Sequence, residues 1–409
     1  MADPLGVSFV IATRNRRDVL LETAAQIDDC GLDRSEMEIH VVDNASTDGT
    51  VAALGEHRPD VRVLSLAENR GSCAKTRALP YVRFRYVVHL DDDSWPIDGS
   101  IPRMVERFER TPSLASAGFV AHLPDGRIEC SALPGVFIGC GVGLRTDLLR
   151  RLGGIDEWFF MQAEEYDLAF RLANAGYRVG VFDDLHVRHL KTPQARYGGS
   201  TAYYDVRNNV VLACRFLPDP WRRIYLADWV QRYAWLSRSS DNVGAFIRGA
   251  AAGAARAARE RLAGRVEPLS ARALQRFFCL QRIEAQMAEL GSAGVRRILL
   301  AYLGKNVYAF WRGAKLVGLE LVAIADDRFA DPPGRRYRDT PILPTPEALD
   351  IDHDAVVVAN TSYAHAAVRA QELVPMTDRP VHDWFGRSPD AAATQDGTYL
   401  TDRATPMSP

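Results

Sequence analysis

The sequence predicts an α/β fold, and three observations carry that expectation. Short β-rich runs alternate with helically spaced apolar residues through roughly the first 200 positions. Polar residues fall directly after the strand runs. The fourth run, Tyr86-Val87-Val88-His89-Leu90, ends in three consecutive aspartates, Asp91-Asp92-Asp93. So uniformly apolar a run fits a strand buried on both faces of a parallel sheet.

Taken in order, Val7 to Ala12 forms the first strand, followed by Val19, Leu20, Leu21, Ala24 and Ile27 at helical spacing. Ile39 to Val42 forms the second strand and ends at Asp43. Ser46-Thr47-Asp48-Gly49-Thr50 then supplies turn and capping residues before a helix from Val51. Val61 to Leu64 is the third strand, and Asn69-Arg70-Gly71 breaks the chain before a helix through Ala74 and Arg77. The aspartates close the fourth strand. This alternation predicts βαβ units and a mostly parallel sheet. Ligands bind beyond the carboxyl ends of such strands. Thr13-Arg14, Asp43, Asn69-Arg70 and Asp91 to Asp93 should therefore converge on one edge as a nucleotide-sized site.

Length and composition exclude several classes. With 409 residues, more than one domain is expected. An apolar fraction of 47% and a net charge of −2 describe an ordinary globular chain and give no reason to expect a nucleic-acid partner. The 6 cysteines form no CxxC pair, which fits a reducing compartment. No basic-then-apolar signal opens the chain, and no apolar run is long enough for a bilayer. A cytoplasmic location is expected.

The aspartate triplet carries the chemistry. Carboxylates crowded at a strand end repel one another and require positive charge among them. A divalent cation carrying phosphates meets that need, because Mg²⁺ and Mn²⁺ take one or two carboxylates together with phosphate oxygens. An acidic turn or helix cap accounts for an isolated triplet equally well. The rest of the chain favours the cation.

Four segments occur in order: Val10-Ile11-Ala12-Thr13-Arg14-Asn15-Arg16, Val41 to Thr50 with Asp43-Asn44-Ala45-Ser46-Thr47-Asp48-Gly49, Glu68-Asn69-Arg70-Gly71, and Leu90 to Asp93. Three more follow: Phe137-Ile138-Gly139-Cys140-Gly141, Leu152-Gly153-Gly154-Ile155-Asp156-Glu157-Trp158-Phe159-Phe160, and Glu164-Glu165-Tyr166-Asp167-Leu168-Ala169-Phe170-Arg171. Over residues 5–215 this set resembles glycosyltransferase family 2, with the flavour of rhamnosyl- and galactofuranosyltransferases. Tyr203-Tyr204 and Arg207-Asn208 add to the likeness. The resemblance implies an inverting GT-A-fold enzyme that uses a nucleotide-diphosphate sugar.

It also implies roles for named residues. Asp91 and Asp93 form the DxD pair that holds Mn²⁺ or Mg²⁺, with His189 as third ligand and His186 as the alternative. Thr13 and Arg14 flank base and ribose, and Asp43 accepts a hydrogen bond from the base. Asn69, Arg70, Asp91 and Asp92 complete the nucleotide site. Gly139, Cys140 and Gly141 let backbone approach the donor sugar, Cys140 being by default a small buried side chain. The family carries Glu-Asp at a helix start, where this chain has Glu164-Glu165. Glu165 takes the position of the general base, Glu164 and Asp167 are the alternatives, and a merely charged helix start is the bland account of all three.

Beyond residue 215 the pattern changes. Residues 216–292 read as a helical, Arg-rich extension, either a solvated face or a surface for anionic phospholipid or a lipid diphosphate. Residues 293–387 read as a small Rossmann-like α/β unit with strands at Ile298 to Ala301, Leu321 to Ala325 and Ala355 to Asn360. Gly304 stands where a dinucleotide fold would have GxGxxG, so a degenerate scaffold or small-ligand unit is expected in place of an NAD site. Residues 388–409 read as a disordered tail.

The function expected is inverting, metal-dependent transfer from a UDP- or dTDP-sugar to a hydroxyl of a glycan or lipid-linked acceptor, in bacterial surface polysaccharide synthesis. Peripheral contact with the inner membrane face through the Arg-rich helices and a homo-oligomer are left open. Two other functions compete. A nucleotidyltransferase would want a Gly-rich, Lys-containing loop where Thr13-Arg14-Asn15-Arg16 stands. A nucleotide-sugar-binding scaffold with a degenerate site is kept in play by the glutamate at 165.

Overall fold

The computed structural model describes residues 3–191 and 198–386, so the expected disordered tail lies outside the described residues. The first part runs β1 (Val7–Thr13), α1 (Arg17–Ile27), β2 (Met37–Asp43), α2 (Thr50–His57), β3 (Arg62–Ser65), β4 (Tyr86–Asp91), β5 (Ser94–Ile97) and α3 (Ser100–Arg110). It continues with β6 (Leu114–His122), β7 (Ile128–Glu129), β8 (Val142–Arg145), α4 (Thr146–Leu152), α5 (Glu164–Asn174) and β9 (Arg178–His189). Five helices follow: α6 (Gly199–Phe216), α7 (Trp221–Ser239), α8 (Val243–Leu262), α9 (Ala271–Phe278) and α10 (Leu280–Ser292). The last part runs β10 (Arg297–Ala301), α11 (Val307–Leu316), β11 (Glu320–Ala325), β12 (Arg336–Tyr337), β13 (Thr340–Leu343), α12 (Thr345–Leu349), β14 (Ala355–Val358), α13 (Tyr363–Leu373) and β15 (Val381–His382).

Nine strands form the first sheet, in the order β3-β2-β1-β4-β8-β6-β9-β5, with β7 beside β6. The expectation of a mostly parallel sheet holds for β3-β2-β1-β4, where crossover helices return the chain. Farther on the sheet is mixed: β8 runs antiparallel to β4 and β6, and β5 antiparallel to β9. Those strands are joined by loops and turns as well as helices, which permits antiparallel pairing.

Side-chain alternation splits the core between the two faces of the sheet. Along β1, Val7, Phe9 and Ile11 pack with Leu20 and Ile27 of α1 on one face, while Val10 belongs to the opposite core. The second core continues through Phe170, Phe216, Phe277 and Phe278 to Tyr225 on α7, and on to Ile298, Leu299 and Leu300 of β10. A second sheet of six strands, ordered β12-β13-β11-β10-β14-β15, lies there and is parallel except at β12. Among the described residues, no helix is long and apolar enough to cross a membrane.

One local difference bears on the site. Gly71–Ala78, read from sequence as a helix, is a 3₁₀-helix. Residues three apart are eclipsed in such a helix. Ser72 and Lys75 therefore point together toward the strand ends, where Ser72 bonds Glu164 and Lys75 bonds Asp91.

Candidate active site

The loops after β1, β2 and β4 converge on a cleft of about 730 Å³. Thr13, Arg14, Asn69 and Asp91 to Asp93 line it on the strand-end side. Gly139, Cys140, Glu164, Glu165 and His189 line it as well. Asp43 sits just behind, buried, with Oδ2 accepting the Ser46 N–H at 3.2 Å. Its Oδ1 is buried without a hydrogen-bond partner among the described residues. Arg70 and Gly141 are absent from the lining. Arg70 pairs with Glu68 in the loop, and a Cβ at Gly141 would come within 2.7 Å of Val187 on β9. The glycine at 141 thus serves packing against β9.

The positive charge that the aspartates require comes from side chains of the protein. Arg16 pairs with Asp92 at 3.0 Å and Asp93 at 2.8 Å, and Thr13 donates to Asp92 at 2.8 Å. Lys75 Nζ, buried, donates to Asp91 at 2.8 Å and to the Gly139 carbonyl at 2.9 Å. Burial opposes ionisation of Asp93, but His189 and Arg16 outweigh it and hold the group well below the usual carboxylate range. Burial wins at Asp92 and pushes it up to about 6.

His189 reaches the triplet through strand pairing. The Asp91–Asp93 turn leads from β4 into β5, whose Ser94 is registered opposite His189, and the Leu190 N–H bonds the Asp93 carbonyl at 2.9 Å. His189 Nε2 then lies 3.3 Å from Asp93 Oδ1 and 3.9 Å from Asp91 Oδ2. Its Nδ1 meets Glu129 Oε2 at 2.8 Å, so a carboxylate on β7 sets the ring orientation. His186 instead faces His122 at 3.0 Å.

The donor set fits a divalent cation. Ligand atoms of Asp91, Cys140 and His189 lie within 4.8 Å of one another, and Asp93 is beside them. Two carboxylates and an oriented imidazole suit Mn²⁺, whereas the Cys140 thiol is a softer donor than that ion prefers.

Glu164 and Glu165 open α5 after an unusual turn. Phe160, Gln162 and Ala163 have φ of 64°, 68° and 66°, a conformation that costs non-glycine residues energy. Asn208 Nδ2 donates to the carbonyls of Phe159, Met161 and Gln162 at 3.1, 2.7 and 2.6 Å. Arg207 holds the carbonyls of Trp158 and Phe159 at 2.7 and 2.6 Å. The α6 pair therefore clamps the turn. Glu164 is buried against the Ser72 hydroxyl, and Glu165 Oε1 accepts the Gly139 N–H at 3.2 Å. Burial, reinforced by the Glu164 carboxyl, pushes Glu165 above the usual range.

Asp167 departs from its place among the candidate bases. It is fully buried and held by Arg171 at 2.8 Å and by Arg215 of α6. Both of its oxygens are engaged in this ion-pair network, and it does not line the cleft. Sequence reasoning missed Arg16, Lys75 and Glu129. A lysine among Cys73, Ala74 and Ala78 was a usable signal for burial and pairing. Glu129, on a strand of two residues, had none.

Two family models match the chain: "Glycosyl transferase family 2" over residues 8–130 and "Glycosyl transferase family group 2" over residues 116–238. An N-acetylglucosaminyl-diphospho-decaprenol L-rhamnosyltransferase from Mycobacterium tuberculosis is 26% identical over 206 residues, covering 38% of this chain and 67% of that protein. Among solved structures, the mannosyltransferase PcManGT from Pyrobaculum calidifontis, in complex with GDP-Man and Mn²⁺, has 23% identity and a TM-score of 0.45. It covers 64% of this chain and 79% of its own. S. aureus TarS 1–349 has 15% identity and a TM-score of 0.45, covering 76% and 90%.

Proposed function

Since the chain belongs to glycosyltransferase family 2, we propose that it transfers a sugar with inversion from a UDP- or dTDP-sugar to a hydroxyl of a glycan or lipid-linked acceptor, in bacterial surface polysaccharide synthesis. One observation carries the reading: a single cleft holds both the strand-end aspartates with His189 and the Glu164-Glu165 pair.

Thr13, Arg14 and Asn69 form the nucleoside wall, with Asp92 braced between Thr13 and Arg16 beneath it. The unpartnered Asp43 Oδ1 would accept the imide N–H of uracil or thymine. Arg14 presents an exposed guanidinium to the donor diphosphate. Asp91, Asp93 and His189 would hold Mn²⁺ or Mg²⁺, which when bound neutralises the leaving diphosphate as a Lewis acid. Glu165 removes the acceptor hydroxyl proton as the oxygen bonds the anomeric carbon. The carbon–oxygen bond to the diphosphate breaks, the nucleoside diphosphate leaves with the electron pair, and Glu165 keeps the proton. A carboxyl raised by burial suits that task.

The likeness to a mycobacterial N-acetylglucosaminyl-diphospho-decaprenol L-rhamnosyltransferase supports a lipid-linked acceptor. Exposed Val243, Ile247 and Leu262 beside exposed Arg248, Arg259 and Arg261 on α8 support peripheral contact with an anionic membrane.

The test is to incubate the purified protein with a panel of UDP- and dTDP-sugars, with Mn²⁺ and with chelator, and to measure nucleoside diphosphate release. Release confined to the metal-containing arm is expected. No release from any member, or full release in chelator, overturns the reading.

A further inference from the structure

The cleft has a second wall, which the donor does not account for. It is built by Asp205 and Asn209 of α6, Arg232, Tyr233 and Leu236 of α7, and Lys305 from the loop after β10. Lys305 thus comes from the second sheet, far from the segment that the family models match.

Its loop is fixed in place. Trp229 Nε1 donates to the Lys305 carbonyl at 3.0 Å, and the Tyr225 hydroxyl donates to Asn306 Oδ1 at 2.7 Å. Arg232 bonds the Leu303 carbonyl, and Asp326 takes the Leu303 N–H at 2.7 Å. A Cβ at Gly304 would meet the Ala359 carbonyl at 2.8 Å. The strand end where a dinucleotide would be sought is therefore closed by α7 and directed at the cleft of the first sheet.

The cations delivered there share the field of one carboxyl on their own wall, Asp205, but touch no carboxylate directly among the described residues. Among the described residues, neither Lys305 nor Arg232 makes an ion pair within 4.0 Å. Lys305 Nζ lies over the rings of Tyr166 and Trp229 at 4.1 and 4.8 Å, and Arg232 lies over Phe329 at 4.9 Å. Tyr166 directly follows Glu165. Two half-buried cations facing a single carboxyl, itself disfavoured as an anion by burial, leave positive charge that a ligand can answer.

Resting on the transferase reading above, we propose that Lys305 and Arg232 form an acceptor subsite for a phosphoryl group lying close to the reacting hydroxyl. The second sheet thereby completes the acceptor site. Burial pulls Lys305 down to about 7, opposed by Asp205 and Glu165. Asp205 is itself pushed up to about 6 by its burial, against the pull of Lys305 and Arg232. A bound phosphoryl group would stabilise the charged lysine.

The test uses the full chain saturated with dTDP and Mn²⁺, so that the donor site is filled, and titrates in inorganic pyrophosphate by calorimetry. Wild type is expected to bind it, Lys305→Gln to bind about tenfold or more weakly, and Lys305→Arg to retain binding, since a hydrogen bond to a charged group is at stake. Near-equal dTDP affinity in all three would show that the donor site is intact. Citronellyl diphosphate binding more tightly than pyrophosphate would place the phosphoryl group on a lipid carrier. Equal binding would place it on a soluble phosphorylated acceptor, and both results support the subsite. Equal pyrophosphate affinity for wild type and Lys305→Gln, or no binding by wild type, overturns it. Failure to bind dTDP and UDP instead sinks the donor reading, and Lys305-dependent pyrophosphate binding is then still read in the absence of nucleotide.

Discussion

Gly139 donates its backbone N–H to Glu165 Oε1 at 3.2 Å, and its carbonyl accepts from Lys75 Nζ at 2.9 Å. Lys75 also grips Asp91. One residue without a side chain thus links the strand-end carboxylates to the helix-start glutamate. A Cβ added at Gly139 would lie 3.1 Å from Glu165 Oε1. Gly139→Ala is expected to displace that carboxylate and lower kcat by about 10²-fold, the scale of a 1 Å misplacement. Steady-state kinetics should show the donor KM little changed. An unaltered kcat would mean that Glu165 does not act from this position.

Glu165→Gln keeps shape and removes proton affinity. Turnover should fall ~10²–10⁴-fold while donor binding by calorimetry persists. The pH dependence has two opposite signs. The base works deprotonated, so wild-type kcat rises with pH through the raised pKa. Stability runs the other way, because a group whose folded pKa lies above its unfolded value binds its proton more tightly when folded. Its contribution is full at acid pH and lost as pH climbs from the ordinary glutamate range through the folded pKa. Glu165→Gln should therefore show a flatter melting temperature against pH on the alkaline side. Glu165→Asp probes whether the backbone has adapted to the longer side chain. If it has, Asp loses rate; if it has not, Asp matches wild type.

Glu129 orients His189 through Nδ1 at 2.8 Å. Removing that charge in Glu129→Gln should weaken Mn²⁺ affinity about 10–100-fold, the usual effect of losing a ligand's outer partner. The readout is the Mn²⁺ concentration at half-maximal activity. Asp93→Ala, by contrast, should abolish transfer at any Mn²⁺ level. An unmoved Mn²⁺ curve in Glu129→Gln would argue against His189 as a ligand.

Asp167 is expected to matter for folding alone. Its partners Arg171 and Arg215 lose a buried countercharge in Asp167→Asn, at a cost of about 3–5 kcal/mol. Denaturant titration measures the loss, and kcat per folded molecule should stay at the wild-type level. A stable but inactive variant would return Asp167 to the list of candidate bases.

The strands and the polar residues at their ends were legible because both are local patterns. Apolar runs mark β1 to β4, and Thr13, Asn69 and Asp91 follow from where those runs stop. The antiparallel half of the sheet was not legible, since β5 pairs with β9 across some ninety residues of chain with no short-range signature. His189 was found by resemblance, but its partner Glu129 sits on a two-residue strand that no periodicity reveals. Helical spacing placed Asp167 near Glu165 without separating their surroundings. Arg215, which decides the matter, lies 48 residues away. Gly304 looked like the remnant of a dinucleotide turn, and the destination of Lys305 beside it was hidden because it depends on how α7 packs.

That packing has a consequence for anyone who shortens the chain. The family match ends at residue 238, in the last turn of α7. Tyr225, Trp229 and Trp235, all buried in the whole protein, would face water in a piece cut there, because Phe278 and Phe329, which now pack against them, would be missing. Contiguous aromatic surface of this kind is an aggregation liability. A fragment trimmed to the recognisable sequence would thus fail first as a material, by clumping during expression. Preserving the chain through β14 and α13 is the sounder choice for crystallisation or for grafting the catalytic half onto another protein.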